Sequence, residues 1–236
     1  MRGLFVTGTG TGVGKTIVSA ALLAAMRAAG EPVRAYKPVV TGLDDPPGEW
    51  PPDHELLALA AGMTSEEVAP LRYGPAVSPH LAAALAGESI DPGDILARAR
   101  EHSERTLVLE GVGGLLVPLT ADFTVRDLAV ELDLPVVIAA SPGLGTINHT
   151  LLTLEAARAS GLDVRAVVLS PWPSEPSTLK QSNRETIARL GEVEVALTEE
   201  LTVGKQALLL NQLAQGANRL PWKRWLSREN FVSPQP

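Results

Sequence analysis

The residue types best suited to chemistry lie in a glycine-rich run near the amino terminus, residues 7–16. An apolar run at residues 4–6 precedes it and an Ala- and Leu-rich segment at residues 15–29 follows it, which predicts a strand, a loop and a helix. Such loops turn backbone N–H groups towards phosphate oxygens, and the helix start adds partial positive charge. Lys15 would reach the β- and γ-phosphates of a nucleoside triphosphate, and the Thr16 hydroxyl would ligate Mg²⁺. The predicted backbone contacts come from Gly12, Val13 and Gly14.

The match to the usual phosphate-loop pattern is off by one residue. Thr9 stands where the pattern has its first glycine, and Gly8 and Gly10 flank it. A dinucleotide fingerprint, Gly-x-Gly-x-x-Gly, fails in every register, and the acidic ribose ligand expected about 20 residues later is absent. The alternative is an ordinary glycine-rich turn, but a Gly-Lys-Thr sequence at a helix start favours triphosphate binding.

Composition narrows the class of protein. The 236 residues, 45% hydrophobic and 20% charged, predict a single α/β domain over residues 1–236, with a less regular segment from about residue 204. A net charge of −7 and a pI near 5.2 argue against nucleic acid as the main partner. The absence of cysteine excludes disulfides and a thiol nucleophile. With no leader-like or membrane-spanning run, we expect a cytoplasmic protein that does not act at a membrane.

Apolar runs alternate with helical patterns along most of the chain. The strand-like runs are residues 4–6, 33–36, 106–109, 135–140, 164–169 and 193–197. The helical patterns are residues 15–29, 54–61, 79–86, 94–101, 125–132, 147–159 and 179–190. This alternation predicts an α/β fold of the P-loop NTPase type, a doubly wound and mostly parallel sheet with helices on both faces. Ligands of such folds lie beyond the carboxyl ends of the strands.

Charged residues follow two of these predicted strands. Lys37, followed by a proline, would point from an extended backbone towards the ligand side, although a solvated lysine would fit the pattern equally well. Glu110 closes an apolar run, where a carboxylate is costly unless it is paired or binds a metal such as Mg²⁺. The glycines after it would let a ligand lie against bare backbone; these are Gly111, Gly113 and Gly114.

Two further helix starts carry candidate residues. Asp53 opens a helical pattern and on its own is better explained as a helix cap, while Asp44, Asp45 and Glu49 are rival acids on the same loop. The glycine-flanked helix start at residues 143–149 could bind a carboxylate.

Taken in order, these stretches resemble the dethiobiotin synthetases, the ATP-dependent enzymes of biotin synthesis. The resemblance covers residues 3 to about 170 and rests on several short motifs rather than on any one of them. They are residues 6–9, 13–16, 37–39, 41–42, 53, 78–80, 110–111, 113–114, 145 and 148–149.

The resemblance implies roles for individual residues. It implies a metal site for Mg²⁺ made by Thr16, Asp53 and Glu110. It implies that Lys15 and Lys37 surround the transferred phosphoryl group, and Thr11 is predicted as a third catalytic residue. It implies substrate contacts from Thr41 and the three glycines after Glu110. It also implies a homodimer in which the helix start at Gly145 and Asn148 of one subunit receives the carboxylate of a substrate bound mainly by the other.

The implied reaction joins CO₂ to 7,8-diaminononanoate at the expense of ATP and closes a cyclic urea. One amine takes up CO₂ to give a carbamate, whose oxygen attacks the γ-phosphorus to give a carbamic–phosphoric anhydride. The second amine then attacks the carbonyl and expels phosphate. Phosphoryl transfer requires mainly positioning and charge neutralisation, which two lysines and Mg²⁺ would provide.

The sequence departs from the family pattern in two places. Gly10 and Gly12 stand where relatives often carry acids, and Ser170 stands where the family often has an adenine-reading asparagine. We therefore expect weak discrimination of the base, so that other nucleoside triphosphates could replace ATP. Asn183, a few residues further on, could supply the missing amide.

Two rival classes share this fold and loop type. The synthetase half of a corrinoid amidase would need an attached domain with a Cys nucleophile, which this chain lacks. A partition or positioning ATPase that switches on a membrane or DNA would place a second lysine early in the loop, where this chain has Gly10. The basic, Trp-containing residues 220–226 resemble a membrane helix superficially, but Pro221 and the short length favour a packed or disordered tail.

Overall fold

A computed structural model describes residues 1–46, 48, 50–201, 206–217 and 220–227 of the chain. The strands are β1 (Gly3–Gly8), β2 (Val33–Tyr36), β3 (Val39–Val40), β4 (Leu71–Arg72), β5 (Thr106–Glu110), β6 (Val136–Ala140), β7 (Val164–Trp172) and β8 (Glu194–Glu199). The helices are α1 (Lys15–Ala28), α2 (Asp53–Ala61), α3 (Ser65–Val68), α4 (Pro79–Leu85), α5 (Pro92–Arg100), α6 (Val125–Leu132), α7 (Thr146–Ala159), α8 (Thr178–Gly191), α9 (Gln206–Ala217) and α10 (Trp222–Leu226). None of these helices combines the length and the apolarity needed to cross a membrane.

The main sheet has six strands in the order β2-β5-β1-β6-β7-β8. Every neighbouring pair in it is parallel. After β1 the chain first adds β2 and β5 on one side and then β6, β7 and β8 on the other. The order therefore reverses around β1, and in such sheets the crevice beyond the carboxyl ends at the reversal binds the ligand. The predicted doubly wound parallel fold is confirmed.

Two cores lie on opposite faces of this sheet. Leu4 and Val6 of β1 face one core and Phe5 faces the other, because successive side chains of a strand point to opposite sides. The first core contains buried side chains of α1, α2, α9 and α10, and the second those of α4, α5, α6, α7 and α8. Strands covered on both faces need continuous apolar runs, which explains why the strand pattern was visible in the sequence.

Element boundaries agree with the sequence pattern where the apolar signal is long. Strand β2 and helix α6 have the predicted bounds, and the ends of the other predicted elements shift by at most three residues. The sequence analysis missed α3 and the small parallel sheet formed by β3 and β4. These elements span only two to four residues each, too few for a periodic pattern to show.

The carboxyl-terminal part contains two helices that the sequence pattern did not predict. On α9, Leu209 and Leu213 are buried in the core next to α1. On α10, Trp222 and Trp225 are also buried, and the Trp225 indole Nε1 donates to Glu194 Oε2 at 3.2 Å. Of the two alternatives for residues 220–226, packed or disordered, the structure shows the packed one, with both indoles turned inward. The single-domain organisation of the whole chain stays a prediction.

Candidate active site

The loop between β1 and α1 is shaped by glycines. Gly14 has a left-handed φ of 90° and directly precedes the first residue of α1, so a larger residue would be strained there. A Cβ on Gly8 would lie 2.7 Å from Val13 Cγ2 and 2.9 Å from Lys15 Cγ. Gly8, although one position away from the usual first glycine, therefore lets the loop fold tightly back on the end of β1.

Lys15 lies in this loop almost completely buried. Its ammonium Nζ donates to the Gly10 carbonyl oxygen at 2.6 Å. Burial lowers the pKa of Lys15 from 10.5 to about 8, because the attraction of Glu110 offsets the desolvation only in part. A buried cation beside a helix amino terminus is an electrostatic site for an anion such as a phosphate.

Lys37 and Glu110 meet because of the sheet register. Tyr36 of β2 pairs with Leu109 of β5, so the next residue of each strand points to the same face, the side covered by α1. Lys37 Nζ donates to Glu110 Oε1 at 2.7 Å, and the Thr16 hydroxyl donates to the same oxygen at 2.9 Å. Two residues that are 73 positions apart thus form a buried ion pair next to the loop.

Asp53 completes this group, since Lys37 also donates to Asp53 Oδ2. The helix-cap interpretation of Asp53 is wrong, because Pro52 occupies the cap position and Asp53 is the first residue of α2. Among the rival acids, Asp44 lies against Gly74 and Asp45 lines the neighbouring cavity. Glu49 lies outside the described residues.

The charges in this group stabilise one another. Burial opposes the charge of Lys37, but the carboxylates of Glu110 and Asp53 outweigh it and raise the pKa of Lys37 above 10.5. Burial likewise opposes the charge of Asp53, and Lys37 outweighs it, so the pKa of Asp53 is lowered. Glu110 is fully buried, and its Oε2 has no hydrogen-bond partner in the part of the chain that is described. Glu110 thus keeps a free acceptor, and with the oxygens of Thr16 and Asp53 it offers the hard donors that Mg²⁺ prefers.

A cavity of about 680 Å³ opens beside this group. Nine of the residues predicted from the sequence line it: Thr11, Gly12, Gly14, Lys15, Thr16, Lys37, Thr41, Asp53 and Gly113. The wall facing them is largely apolar and comes from β3, the loop before α4 and the loop after β5. Its side chains include Val40, Ala76, Val77, Pro79, Val112 and Val117. The cavity therefore joins the charged group of Lys15, Lys37 and Asp53 to a wall that suits an aliphatic chain.

Other predicted residues lie outside this cavity. Gly111 has a packing role, since a Cβ there would lie 2.8 Å from Val125 Cγ1, whereas a Cβ at Gly114 would make only ordinary contact, 3.5 Å from the Gly8 oxygen. Asn148, in the first turn of α7, is exposed on the surface. Its helix begins after Gly145, whose φ is 89°. Neither residue lines the cavity.

Ser170 lies at the carboxyl end of β7, against the phosphate loop. Its side chain is buried, and a Cβ on Gly14 would lie 2.7 Å from the Ser170 Oγ. Neither this hydroxyl nor that of Thr198, on neighbouring β8, has a hydrogen-bond partner among the described residues. Asn183 is buried as well, and its Nδ2 donates to the carbonyl oxygens of Pro142 and Gly143, each at 3.0 Å. The amide of Asn183 therefore holds the loop before α7.

Comparison with known proteins agrees with this geometry. A family model described as an AAA domain matches residues 2–198. The ATP-dependent dethiobiotin synthetase BioD of Mycobacterium sp. (strain KMS) is 42% identical over 201 residues, which cover 84% of this chain and 87% of that protein. The enzyme of the same name from Anaeromyxobacter sp. (strain K) is 46% identical over 194 residues, covering 80% and 86%. The chain belongs to the ATP-dependent dethiobiotin synthetase family. It is accordingly an ATP-dependent ligase of that type.

More distant solved structures share the fold. The cell division ATPase MinD of Pyrococcus furiosus aligns with a TM-score of 0.51 and 17% identity, covering 93% of this chain and all of that one. The MinC:MinD cell division protein complex of Aquifex aeolicus gives 0.54 and 13%, covering 92% and 86%. At these identities the likeness concerns the arrangement of strands and helices alone.

The sequence analysis missed two features of the site, the apolar wall of the cavity and Thr198. The apolar wall was not predicted, because its residues come from loops and from two-residue strands that carry no periodic pattern. Thr198 was missed because it ends an ordinary strand pattern, and only the pairing of β7 with β8 brings it near Ser170. No local signal in the sequence marks either feature.

Proposed function

We propose that this chain is an ATP- and Mg²⁺-dependent dethiobiotin synthetase that converts 7,8-diaminononanoate and CO₂ into dethiobiotin, ADP and phosphate. The observation that carries the proposal is the group formed by buried Lys15, Lys37 and Glu110 and by half-exposed Asp53, next to a cavity with an apolar wall. The group suits a triphosphate, and the wall suits a substrate with an aliphatic chain. The relatives from Mycobacterium and Anaeromyxobacter are named ATP-dependent dethiobiotin synthetases, the same overall activity.

In the proposed reaction one amine adds to CO₂ and loses a proton to give a carbamate. The carbamate oxygen attacks the γ-phosphorus, which breaks the bond to ADP and forms a carbamic–phosphoric anhydride. The second amine attacks the carbonyl carbon, the bond to phosphate breaks and a cyclic urea forms. Lys15 and Lys37 would stabilise the negative charge on the transferred group, and no protein nucleophile takes part.

The residues present fit a divalent cation. Thr16, Asp53 and Glu110 would hold Mg²⁺, and Glu110 Oε2 is a buried acceptor with no partner among the described residues. When bound, Mg²⁺ supplies positive charge to the triphosphate oxygens. Lys37 donates to both Asp53 and Glu110 in this structure. If Mg²⁺ took over these carboxylates, the Lys37 ammonium would be free to donate to the phosphoryl group.

A homodimer would supply the site for the substrate carboxylate. The start of α7 carries exposed Asn148, and Leu144 just before it is 91% exposed. An exposed leucine beside free helix N–H groups suits contact with a second subunit whose substrate extends towards it. The Asn148→Ala variant should raise the KM for the diamine and leave the KM for ATP nearly unchanged. Equal increases in both would indicate general damage to the fold.

The direct test is an ADP-release assay with the diamine, bicarbonate and Mg²⁺, in which the product is identified by mass spectrometry. We expect ADP release to require the diamine and to match the cyclic urea formed, mole for mole. ADP release without the diamine would contradict the proposal. The cytoplasmic location stays an expectation, which fractionation of cells that express the protein would check.

A further inference from the structure

One carboxylate at the cavity has no assigned role. Asp45, on the loop that follows β3, lines the cavity together with Thr41 and Gly42. Its side chain is exposed, and no ion pair or hydrogen bond engages it within the part of the chain that the structure describes. The other carboxylates of the site, Asp53 and Glu110, are both engaged by Lys37. Asp45 is thus an unneutralised negative charge on the cavity wall.

The loop geometry separates Asp45 from its neighbour Asp44. Backbone hydrogen bonds hold this loop to the segment after β4: the Asp44 amide donates to the Gly74 carbonyl at 2.9 Å. The Asp44 carboxylate lies against Gly74, where a Cβ would be 2.2 Å from its Oδ2. The Asp45 amide instead donates to the Gly42 carbonyl at 3.3 Å, and its Oδ2 would lie 3.7 Å from a Cβ on Gly42. The turn therefore sends Asp44 away from the cavity and leaves Asp45 at its wall.

The surroundings of Asp45 favour a particular ligand chemistry. Val40 and Val77 line the same cavity, so an apolar wall and a carboxylate occur together. An alkylammonium group matches this combination, because its methylene chain packs on apolar side chains while its charge pairs with the carboxylate. Primary alkylamines have pKa values near that of lysine, about 10.4, so at neutral pH they are charged.

We propose that Asp45 binds an ammonium group of the diamine substrate and makes the enzyme select substrates that carry amines. The proposal rests on the diamine reaction proposed above. The amine that adds to CO₂ must be neutral, whereas the other can stay protonated until the ring closes. Asp45 would hold this second, charged amine and so orient the chain with its neutral amine free to react.

The test compares binding of two ligands without turnover. Isothermal titration calorimetry without nucleotide gives the dissociation constants of 7,8-diaminononanoate and of nonanoate, which has the same chain and carboxylate but no amine. We expect Asp45→Asn to weaken binding of the diamine by about three- to tenfold, as for loss of one partly exposed charged contact. Binding of nonanoate should change by less than about twofold, because it lacks the charge that Asp45 contacts. The matched control, Asp44→Asn, should leave both constants unchanged.

Unchanged binding of the diamine by Asp45→Asn would overturn the proposal, as would an equal loss for both ligands or the same loss in Asp44→Asn. In turnover, Asp45→Asn should raise the KM for the diamine and leave the KM for ATP at the value of the unmodified protein, which also shows that the variant is folded.

The ammonium site and the proposed reaction can fail separately. If the protein binds the diamine in an Asp45-dependent way but forms no cyclic urea, the proposed reaction is wrong and the ammonium site stands.

Discussion

Around the phosphate loop each buried charged side chain has a partner, whereas at the ends of β7 and β8 two buried hydroxyls have none among the described residues. At the first region Lys15 donates to a carbonyl and Lys37 bridges Asp53 and Glu110. At the second the hydroxyls belong to Ser170 and Thr198. Both regions lie at the carboxyl edge of one sheet, on the face covered by α1.

This difference bears on what each region can recognise. Fixed charges placed before the ligand arrives favour phosphates strongly, and they do so whatever base the nucleotide carries. A hydroxyl can donate or accept, so it adapts to different base edges without selecting one of them. We therefore expect changes at the phosphate region to alter rate and metal use strongly, and changes at the ends of β7 and β8 to have small effects.

The largest effect is expected for Lys37→Ala. It should lower kcat by a factor on the order of 10²–10³, because one preorganised positive charge is lost from the transferred group. Lys15→Ala should reduce both binding and rate, since Lys15 would contact phosphates before and during transfer. Steady-state kinetics give kcat and KM for both variants. The control is Lys223→Ala, which removes an exposed lysine on α10. Normal turnover by Lys37→Ala would show that Lys37 does not stabilise the transferred phosphoryl group. Melting temperatures show whether unpaired Asp53 and Glu110 destabilise the variant.

A smaller effect is expected for the two carboxylates. Glu110→Gln and Asp53→Asn should each raise the Mg²⁺ concentration needed for half-maximal activity by roughly tenfold or more, as for other residues that support metal sites. Asp44→Asn should not, because its carboxylate lies against Gly74. Titrating activity with MgCl₂ compares all three variants. A shift in Asp44→Asn but not in Asp53→Asn would show that the wrong acid was assigned.

The choice of base should matter less still. If Ser170 and Thr198 read the base weakly, kcat/KM should differ by less than about tenfold among ATP, CTP and GTP, since one missing pair of base-reading bonds forgoes roughly 1–3 kcal/mol. Measuring the three values side by side checks this. A preference of a hundredfold or more for ATP would contradict it and would place a base-selective group in this region.

The smallest effect on base choice is expected for Asn183→Ala. The side-chain amide of Asn183 already donates to two backbone carbonyls, so it is not free to read a base through those hydrogens. The variant should lose about 1–3 kcal/mol of stability, the cost of leaving buried acceptors unpaired. The order of preference among the three nucleotides should stay the same. Denaturant unfolding and the same kinetic comparison test both parts, and a changed order would assign base reading to Asn183.

Much of the fold could be predicted because its signals are local. The glycine-rich loop, the Gly-Lys-Thr sequence and the helix after it occupy adjacent positions, so no distant contact is needed to recognise them. The continuous apolar runs of β1 and β5 result from burial on both faces of the sheet. Helix α9 was missed because the alternation of strands and helices ends before it, although its buried Leu209 and Leu213 have the i, i+4 spacing of a helix.

The sequence by itself determined the phosphate loop, the alternation of strands and helices, and the two residues, Lys37 and Glu110, that end neighbouring strands. Only the tertiary structure decided that these two residues pair, because the register between β2 and β5 sets which side chains share a face. It also placed Asp53, and not Asp44, next to Lys37, since a backbone bond holds Asp44 against Gly74 while α2 begins at Asp53 beside Lys37. Such choices depend on contacts between segments far apart in the chain, which composition and local spacing do not encode.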